Sequence, residues 1–90
     1  MIRVVDLYAT WCRPCSQMHK TLEKMSEELG FISIEKIDVE EDDALVKEFK
    51  VKSVPTLLLF KGEKMVEKIT GTITDNQLRL ILKKHEYTTE

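Results

Sequence analysis

The sequence has no long apolar run and no excess of basic residues. Its 14 lysines and arginines stand against 16 acidic residues, and the formal net charge is −2. Neither a basic face for nucleic acid nor a polybasic segment for a membrane results from this distribution. Arg3 and Asp6 interrupt the apolar N-terminal segment, which excludes a signal-peptide pattern, and no stretch reaches transmembrane length. We therefore expect a cytoplasmic protein, in a compartment that keeps thiols reduced.

Glycine and proline are also scarce, with three and two residues respectively. The sequence shows no repeat, no low-complexity segment and no linker, and 42% of its 90 residues are hydrophobic while 33% are charged. This composition is typical of a folded chain rather than a disordered one. The length predicts one small domain over residues 1–90, near the size at which a single core is only just sufficient.

Only two cysteines are present, Cys12 and Cys15, in the segment WCRPCS. A structural disulfide between such near neighbours would contribute only about 2 kcal/mol, against about 3 kcal/mol for a 15-residue loop. A zinc site usually has four ligands, whereas these cysteines and His19 supply three, and we interpret His19 as a solvated helix residue. The compartment and the spacing favour a redox-active pair.

Four β-strands are predicted from apolar, β-branched segments at residues 2–9, 31–39, 56–60 and 65–70. Residues 61–64 join the last two strands as a hairpin. Three helices fall between or after these strands, so the order of elements is β-α-β-α-β-β-α. That order predicts an α/β fold with a mixed four-stranded sheet flanked by helices.

The predicted helices have clear ends. The first helix begins near Cys12 and ends at Gly30, which suits a left-handed C-terminal position. Its apolar stripe is formed by Met18, Leu22, Met25 and Leu29. Acidic residues 40–43 begin a short second helix, and Thr74 with Gln77 forms a capping box for the third. We interpret His85 as a cation at the end of that third helix.

The two cysteines are predicted to differ in reactivity. Cys12 lies where the first strand meets the first helix, so free N–H groups and the positive end of the helix dipole favour its thiolate. Arg13 adds a positive charge, and Pro14 suits the first helical turn. Residues three apart on a helix lie roughly 5 Å apart, close enough for a reversible disulfide. Cys12 is thus predicted to be a nucleophile with a lowered pKa, and Cys15, one turn deeper, the resolving thiol.

Asp6 is an acid within an otherwise apolar strand. Burying a carboxylate is unfavourable unless the group is paired or performs chemistry. Desolvation would raise its pKa and make it a proton acceptor for Cys15, directly or through a water molecule. The other interpretation is a surface aspartate on the exposed face of the strand, and both remain open at this point.

These residues together resemble the thioredoxin family. The segment VVDLYATWCRPC is similar to the family's strand, aromatic residue, tryptophan and Cys-x-Pro-Cys run, with Arg13 where its cytosolic reductases usually carry glycine. SVPT resembles the loop whose proline is cis and faces the cysteines, and ITGTITDNQL resembles the turn before the last helix. The resemblance covers nearly the whole chain and implies a thioredoxin-like fold.

The resemblance also implies roles for individual residues. Cys12 is the nucleophile, Cys15 the resolving thiol, Asp6 the buried proton acceptor and Lys36 its partner, while Pro55 is the cis-proline. The implied substrate-binding surface consists of Trp11, Arg13, Pro14, Val54, Pro55 and Gly71. The function implied is that of a protein-disulfide reductase, a monomer with a redox-active Cys12–Cys15 disulfide and no bound cofactor or metal. Its partners would be disulfide-containing proteins and an NADPH-dependent thioredoxin reductase.

The sequence also departs from the family's usual pattern. The active-site strand begins at residue 2, so we expect a minimal form without the usual first strand and first helix. Lys20 replaces the proline that usually kinks the active-site helix, which predicts a straighter helix.

Three alternatives remain open. A glutaredoxin-like, glutathione-dependent reductase would share the fold, but such proteins typically carry Pro-Tyr between the cysteines, where this chain has Arg13 and Pro14. A zinc-binding module would need a fourth ligand. A non-catalytic docking subunit would have no use for the second cysteine.

Overall fold

The computed structural model describes residues 1–86 and contains four strands and three helices in the predicted order. The strands are β1 (Ile2–Tyr8), β2 (Ile32–Asp38), β3 (Thr56–Lys61) and β4 (Lys64–Thr70). The helices are α1 (Arg13–Leu29), α2 (Asp43–Glu48) and α3 (Asp75–Glu86).

The strands form one mixed sheet in the order β2-β1-β3-β4. β1 pairs in parallel with β2 and antiparallel with β3, and β3 pairs antiparallel with β4. The parallel pair requires a crossover, which α1 supplies, and the antiparallel pair needs only the short turn between Lys61 and Lys64. The predicted α/β fold with a mixed four-stranded sheet is confirmed.

The alternation of side chains along β1 divides the core between the two faces of the sheet. Ile2 and Val4 belong to the larger apolar cluster, which α1 and α3 cover with Met18, Leu22, Met25, Leu78 and Leu82. Val5 and Leu7 belong to a smaller cluster with Leu58 and Phe60, against which Leu45 of α2 packs. Because side chains alternate, Asp6 shares the face of Ile2 and Val4, the face that α1 covers.

Each end of α1 has the predicted capping residue. Cys12 is the N-cap residue, with extended backbone at φ −87° and ψ 107°. Gly30 ends the helix at φ 71°, and its N–H donates to the carbonyl of Ser26. A residue with a Cβ would be strained in that left-handed conformation.

The third helix also begins as predicted. The Thr74 hydroxyl accepts from the N–H of Gln77 at 3.2 Å, and the Thr74 N–H donates to the Gln77 side chain at 3.1 Å. His85 lies in the last turn of α3, the helix-end position expected for it. Its side chain is buried, and Nε2 lies 2.9 Å from Oε1 of Glu67 on β4.

Candidate active site

The two cysteines lie together at the N-terminal end of α1 as a disulfide, with a Cα–Cα distance of 5.4 Å. The backbone N–H of Cys15 donates to Cys12 Sγ at 3.2 Å. Cys12 is 7% exposed and Cys15 is 1% exposed. An incoming reactant therefore reaches Cys12 first, while Cys15 stays behind it in the protein interior.

The charges at the start of α1, next to Cys12, are positive. No acidic residue occupies the first turn of α1, and Arg13 and Pro14 occupy its first two positions with exposed side chains. The positive end of the helix dipole therefore acts on Cys12 Sγ without a carboxylate to offset it. A sulfur at the N-terminal end of a helix is in general more stable as an anion than elsewhere in a protein.

A second segment approaches the cysteines from the loop before β3. The Val54–Pro55 peptide bond is cis, and Val54 packs against the buried cluster of Ala9, Cys12 and Cys15. The carbonyl of Pro55 accepts a hydrogen bond of 2.9 Å from the N–H of Gly71, which has φ 88°. Gly71 thus joins the end of β4 to the proline loop in a conformation that few other residues adopt.

An apolar groove lies beside the cysteines. It has a volume of about 200 Å³, and Trp11, at its edge, is 69% exposed. The groove is lined by Trp11, Val39, Val46, Val51, Lys52, Ser53 and Val54. Trp11 and Val54 were in the surface implied by the sequence, but the three other valines were not. Of these three, only Val51 lies near the proline, in the VKSVP segment, whereas Val39 and Val46 belong to the predicted second strand and second helix.

Asp6 is buried on the face of the sheet that α1 covers. Its side chain is 0% exposed, Oδ2 forms a hydrogen bond with Nδ1 of His19, and Oδ1 has no hydrogen-bond partner among residues 1–86. Burial raises the pKa of Asp6. His19 opposes that rise through its charge and its hydrogen bond, and the charge of Lys36 opposes it less. Of the two interpretations of Asp6, the buried one describes its environment.

The residue that contacts Asp6 directly is His19. Lys36 stands opposite Asp6 in the pairing of β1 with β2, but its Nζ bonds Oε1 of Glu23 at 3.4 Å and acts on Asp6 only through its charge. The interpretation of His19 as a solvated helix residue is wrong, because its side chain is only 20% exposed. The Tyr8 ring meets the His19 ring edge-on, with 5.0 Å between centroids.

The described residues contain neither a metal site nor a membrane-spanning helix. Among residues 1–86, no group of three or more histidine, cysteine, aspartate or glutamate side chains is arranged to hold a metal ion. Within the same residues, no helix combines the length and the apolar character needed to cross a bilayer.

The chain matches known proteins over nearly all of its length. The family model described as Thioredoxin matches residues 1–84. A thioredoxin of Chlamydia muridarum is 36% identical over 83 residues, covering 92% of this chain and 81% of the relative. A thioredoxin of Staphylococcus haemolyticus is 36% identical over 85 residues, covering 93% and 82%.

Solved structures agree with these matches. A mutant thioredoxin from Halobacterium salinarum has a TM-score of 0.89 at 30% identity, covering 99% of this chain and 78% of that one. Oxidized mitochondrial thioredoxin 3 from Saccharomyces cerevisiae has a TM-score of 0.83 at 34% identity, covering 92% and 77%. With the Cys12–Cys15 disulfide at the start of α1, these matches show that the chain belongs to the thioredoxin family and is a thiol–disulfide oxidoreductase.

Proposed function

We propose that the protein reduces disulfide bonds of partner proteins, with Cys12 as the attacking nucleophile and Cys15 as the resolving thiol. The observation that carries this assignment is the position of Cys12 Sγ at the positive end of α1, where the Cys15 N–H donates to it. The same donor and the same dipole stabilise a thiolate once the disulfide is reduced. The greater exposure of Cys12 supports the same order of attack.

The reaction proceeds through two exchanges. The Cys12 thiolate attacks one sulfur of the substrate disulfide, forms a mixed disulfide and expels the other sulfur as a thiolate. Cys15 then gives its proton to the Asp6 carboxylate, and the resulting thiolate attacks Cys12 Sγ. That attack breaks the mixed disulfide, releases the second substrate thiolate and forms the Cys12–Cys15 disulfide. Two electrons pass from the cysteine pair to the substrate.

The substrate binds along the surface formed by Trp11, Arg13, Pro14, Val54, Pro55 and Gly71. Exposed Trp11 and half-buried Val54 give this surface an apolar character, and both also line the apolar groove. Large apolar side chains exposed beside a reactive pair support binding of a peptide segment rather than a small polar thiol. The backbone at Val54 bonds an extended stretch of the substrate.

The remaining assignments follow from the family. The protein acts as a monomer in the cytoplasm, needs no bound cofactor, and receives electrons from an NADPH-dependent thioredoxin reductase. Its substrates are disulfide-containing proteins. Residues 1–90 act as one domain.

A trapping experiment with insulin tests this function. The reduced wild-type protein should reduce insulin, with dithiothreitol regenerating the dithiol. Cys15→Ser should hold insulin as a covalent complex that a reducing agent dissolves, because the resolving attack is absent. Cys12→Ser is the matched control and should trap nothing.

Failure of Cys15→Ser to trap any substrate would contradict the resolving role. Faster reduction of a glutathione mixed disulfide than of insulin would favour the glutaredoxin-like alternative.

A further inference from the structure

We propose that His19 is a positioning residue for the resolving step. It holds Asp6 by Oδ2, leaves Oδ1 to receive the proton of Cys15, and releases a compensating proton to solvent as Asp6 becomes neutral. This inference rests on the proposed function, because it concerns the second of the two exchanges.

Two periodicities bring Asp6 and His19 into contact and place Cys15 on the same helix face as His19. Alternation along β1 turns Asp6 toward the face that α1 covers. Along α1, His19 follows Cys15 by four residues, so it lies one turn further on the same face of the helix. The hydrogen bond between Nδ1 of His19 and Oδ2 of Asp6 connects α1 to β1 at this point.

Burial assigns a different task to each member of the pair. Asp6 is fully buried and cannot exchange its proton with bulk water directly. His19 is partly exposed, and with Nδ1 bound to Asp6 its other nitrogen, Nε2, remains for exchange with solvent. An imidazole can accept a proton at one nitrogen and give one up at the other.

Other groups of the described residues also surround the Asp6–His19 pair. From β2, Lys36 contributes a positive charge opposite Asp6, and Glu23 of α1 holds the Lys36 ammonium. From β3, the residue paired with Asp6 is Leu57, which is buried and apolar. Tyr8 packs its ring against His19 and holds the imidazole in position.

The proton balance of the step is as follows. The proposed step starts from a carboxylate at Asp6 and an imidazolium at His19, which together carry no net charge. Cys15 gives its proton to Oδ1, and His19 loses the Nε2 proton to water, so Asp6 and His19 are again neutral together. The Cys15 thiolate is consumed in its attack on Cys12, and the departing substrate thiolate takes a proton from solvent. The pair therefore never carries an uncompensated buried charge.

Loss of His19 should move the pH dependence of the resolving step. The charge and the hydrogen bond of His19 hold down the pKa that burial raises at Asp6. Without them the pKa of Asp6 rises further, and the carboxylate that accepts the Cys15 proton is present only at higher pH. The first exchange does not use Asp6, so its rate should not change.

A two-phase stopped-flow measurement separates the exchanges. Reduced protein is mixed with one equivalent of dithiobis(nitrobenzoate), and the release of the coloured thiol is followed at several pH values. The first release reports attack by Cys12. The second is unimolecular and reports resolution by Cys15.

Three variants are compared with wild type. His19→Ala should slow the second release by about tenfold on the acid side of its pH profile and move the profile to higher pH. His19→Asn keeps a donor near Oδ2 but cannot exchange a proton, so it should fold like wild type and still show a displaced profile. Lys20→Ala, at the next and exposed position of α1, is the control and should match wild type in both phases.

The outcomes separate the inference from the function on which it rests. An unchanged second-phase profile in His19→Ala, with a normal first phase, would overturn the role of His19 and leave the function intact. Full recovery of the wild-type profile in His19→Asn would reduce His19 to a hydrogen-bond donor and overturn the release of a proton. Absence of the first release in wild type would instead contradict the function itself.

Discussion

Two histidine–carboxylate pairs connect a helix to the sheet, and their exposures are reversed. Between α1 and β1, the Asp6 side chain is fully buried and His19 is 20% exposed. Between α3 and β4, the His85 side chain is 8% exposed and Glu67 is 32% exposed. The two pairs contain the same kinds of group, but the member removed from water differs.

The buried member determines what each pair can do. A buried carboxylate has a raised pKa, because its charged form loses hydration, and it can then take up a proton from a neighbouring thiol. In the second pair the buried member is the imidazole of His85, and its acid partner, Glu67, reaches water. This imidazole has no reacting group beside it, so the pair instead holds α3 to β4. Lys61 Nζ strengthens this attachment by donating to the His85 carbonyl at 2.6 Å. We infer that the first pair serves catalysis and the second serves stability.

The sharpest test compares the two acids. Asp6→Asn should slow the second thiol release by about 100-fold, the lower range for loss of a general base, because the amide cannot accept the Cys15 proton. Glu67→Gln changes the acid of the other pair in the same way and should leave both releases at wild-type rates. The measurement is the two-phase stopped-flow assay at neutral pH.

Equal slowing in Asp6→Asn and Glu67→Gln would show that the two acids do not differ in role. A slower first release in Asp6→Asn alone would place Asp6 in the attack by Cys12 and contradict its assignment to Cys15.

The second test compares stability. His85→Ala should lower the free energy of unfolding by about 2 kcal/mol, because a buried side chain is lost together with its bond to Glu67. This decrease in the free energy of unfolding is at the low end of the range for core truncations. The reason is that the buried Nδ1 of His85 has no hydrogen-bond partner among residues 1–86, so the substitution also removes an unfavourable buried polar atom. Urea unfolding of the reduced proteins measures this value.

Both thiol releases should keep their wild-type rates in His85→Ala, measured below the unfolding transition. A changed second release would mean that the α3 pair influences the active site, and the division between the two pairs would fail.

The elements and the cysteine geometry could be predicted because each depends on short-range patterns. Strand alternation, the apolar stripe of α1 and the capping residues Gly30 and Thr74 all act within a few positions of the chain. The parallel pairing of β1 with β2 follows from the helix between them. For the same reason the sequence alone places Cys12 and Cys15 at a helix start.

The contacts of the two histidines were not predicted from residue type, although their positions in the sequence carry a signal. His19 continues a helical series with Cys15 and Leu22, at steps of four and three residues. His85 continues the same kind of series after Leu78 and Leu82. Both positions therefore face the sheet, and the structure shows His85 buried and His19 partly buried.

The acid that each histidine meets could not be found in this way. Asp6 is 13 residues from His19 and Glu67 is 18 residues from His85. Such contacts depend on how the helices are placed on the sheet.

The smallest expected effect concerns pH and separates the buried acid from the exposed one. Asp6 has its ordinary pKa near 3.8 in the unfolded chain and a raised pKa in the folded protein. Between these two values the folded state binds more protons than the unfolded state, so the free energy of unfolding falls as pH rises. Asp6→Asn has no such proton, and its stability relative to wild type should increase across this window. Urea midpoints taken from pH 3.5 to 8 measure the difference, and His19→Ala should extend the window to higher pH. Glu67→Gln leaves Asp6 in place and should keep the wild-type decline; if Asp6→Asn kept it as well, Asp6 would not be the buried acid whose ionisation opposes folding.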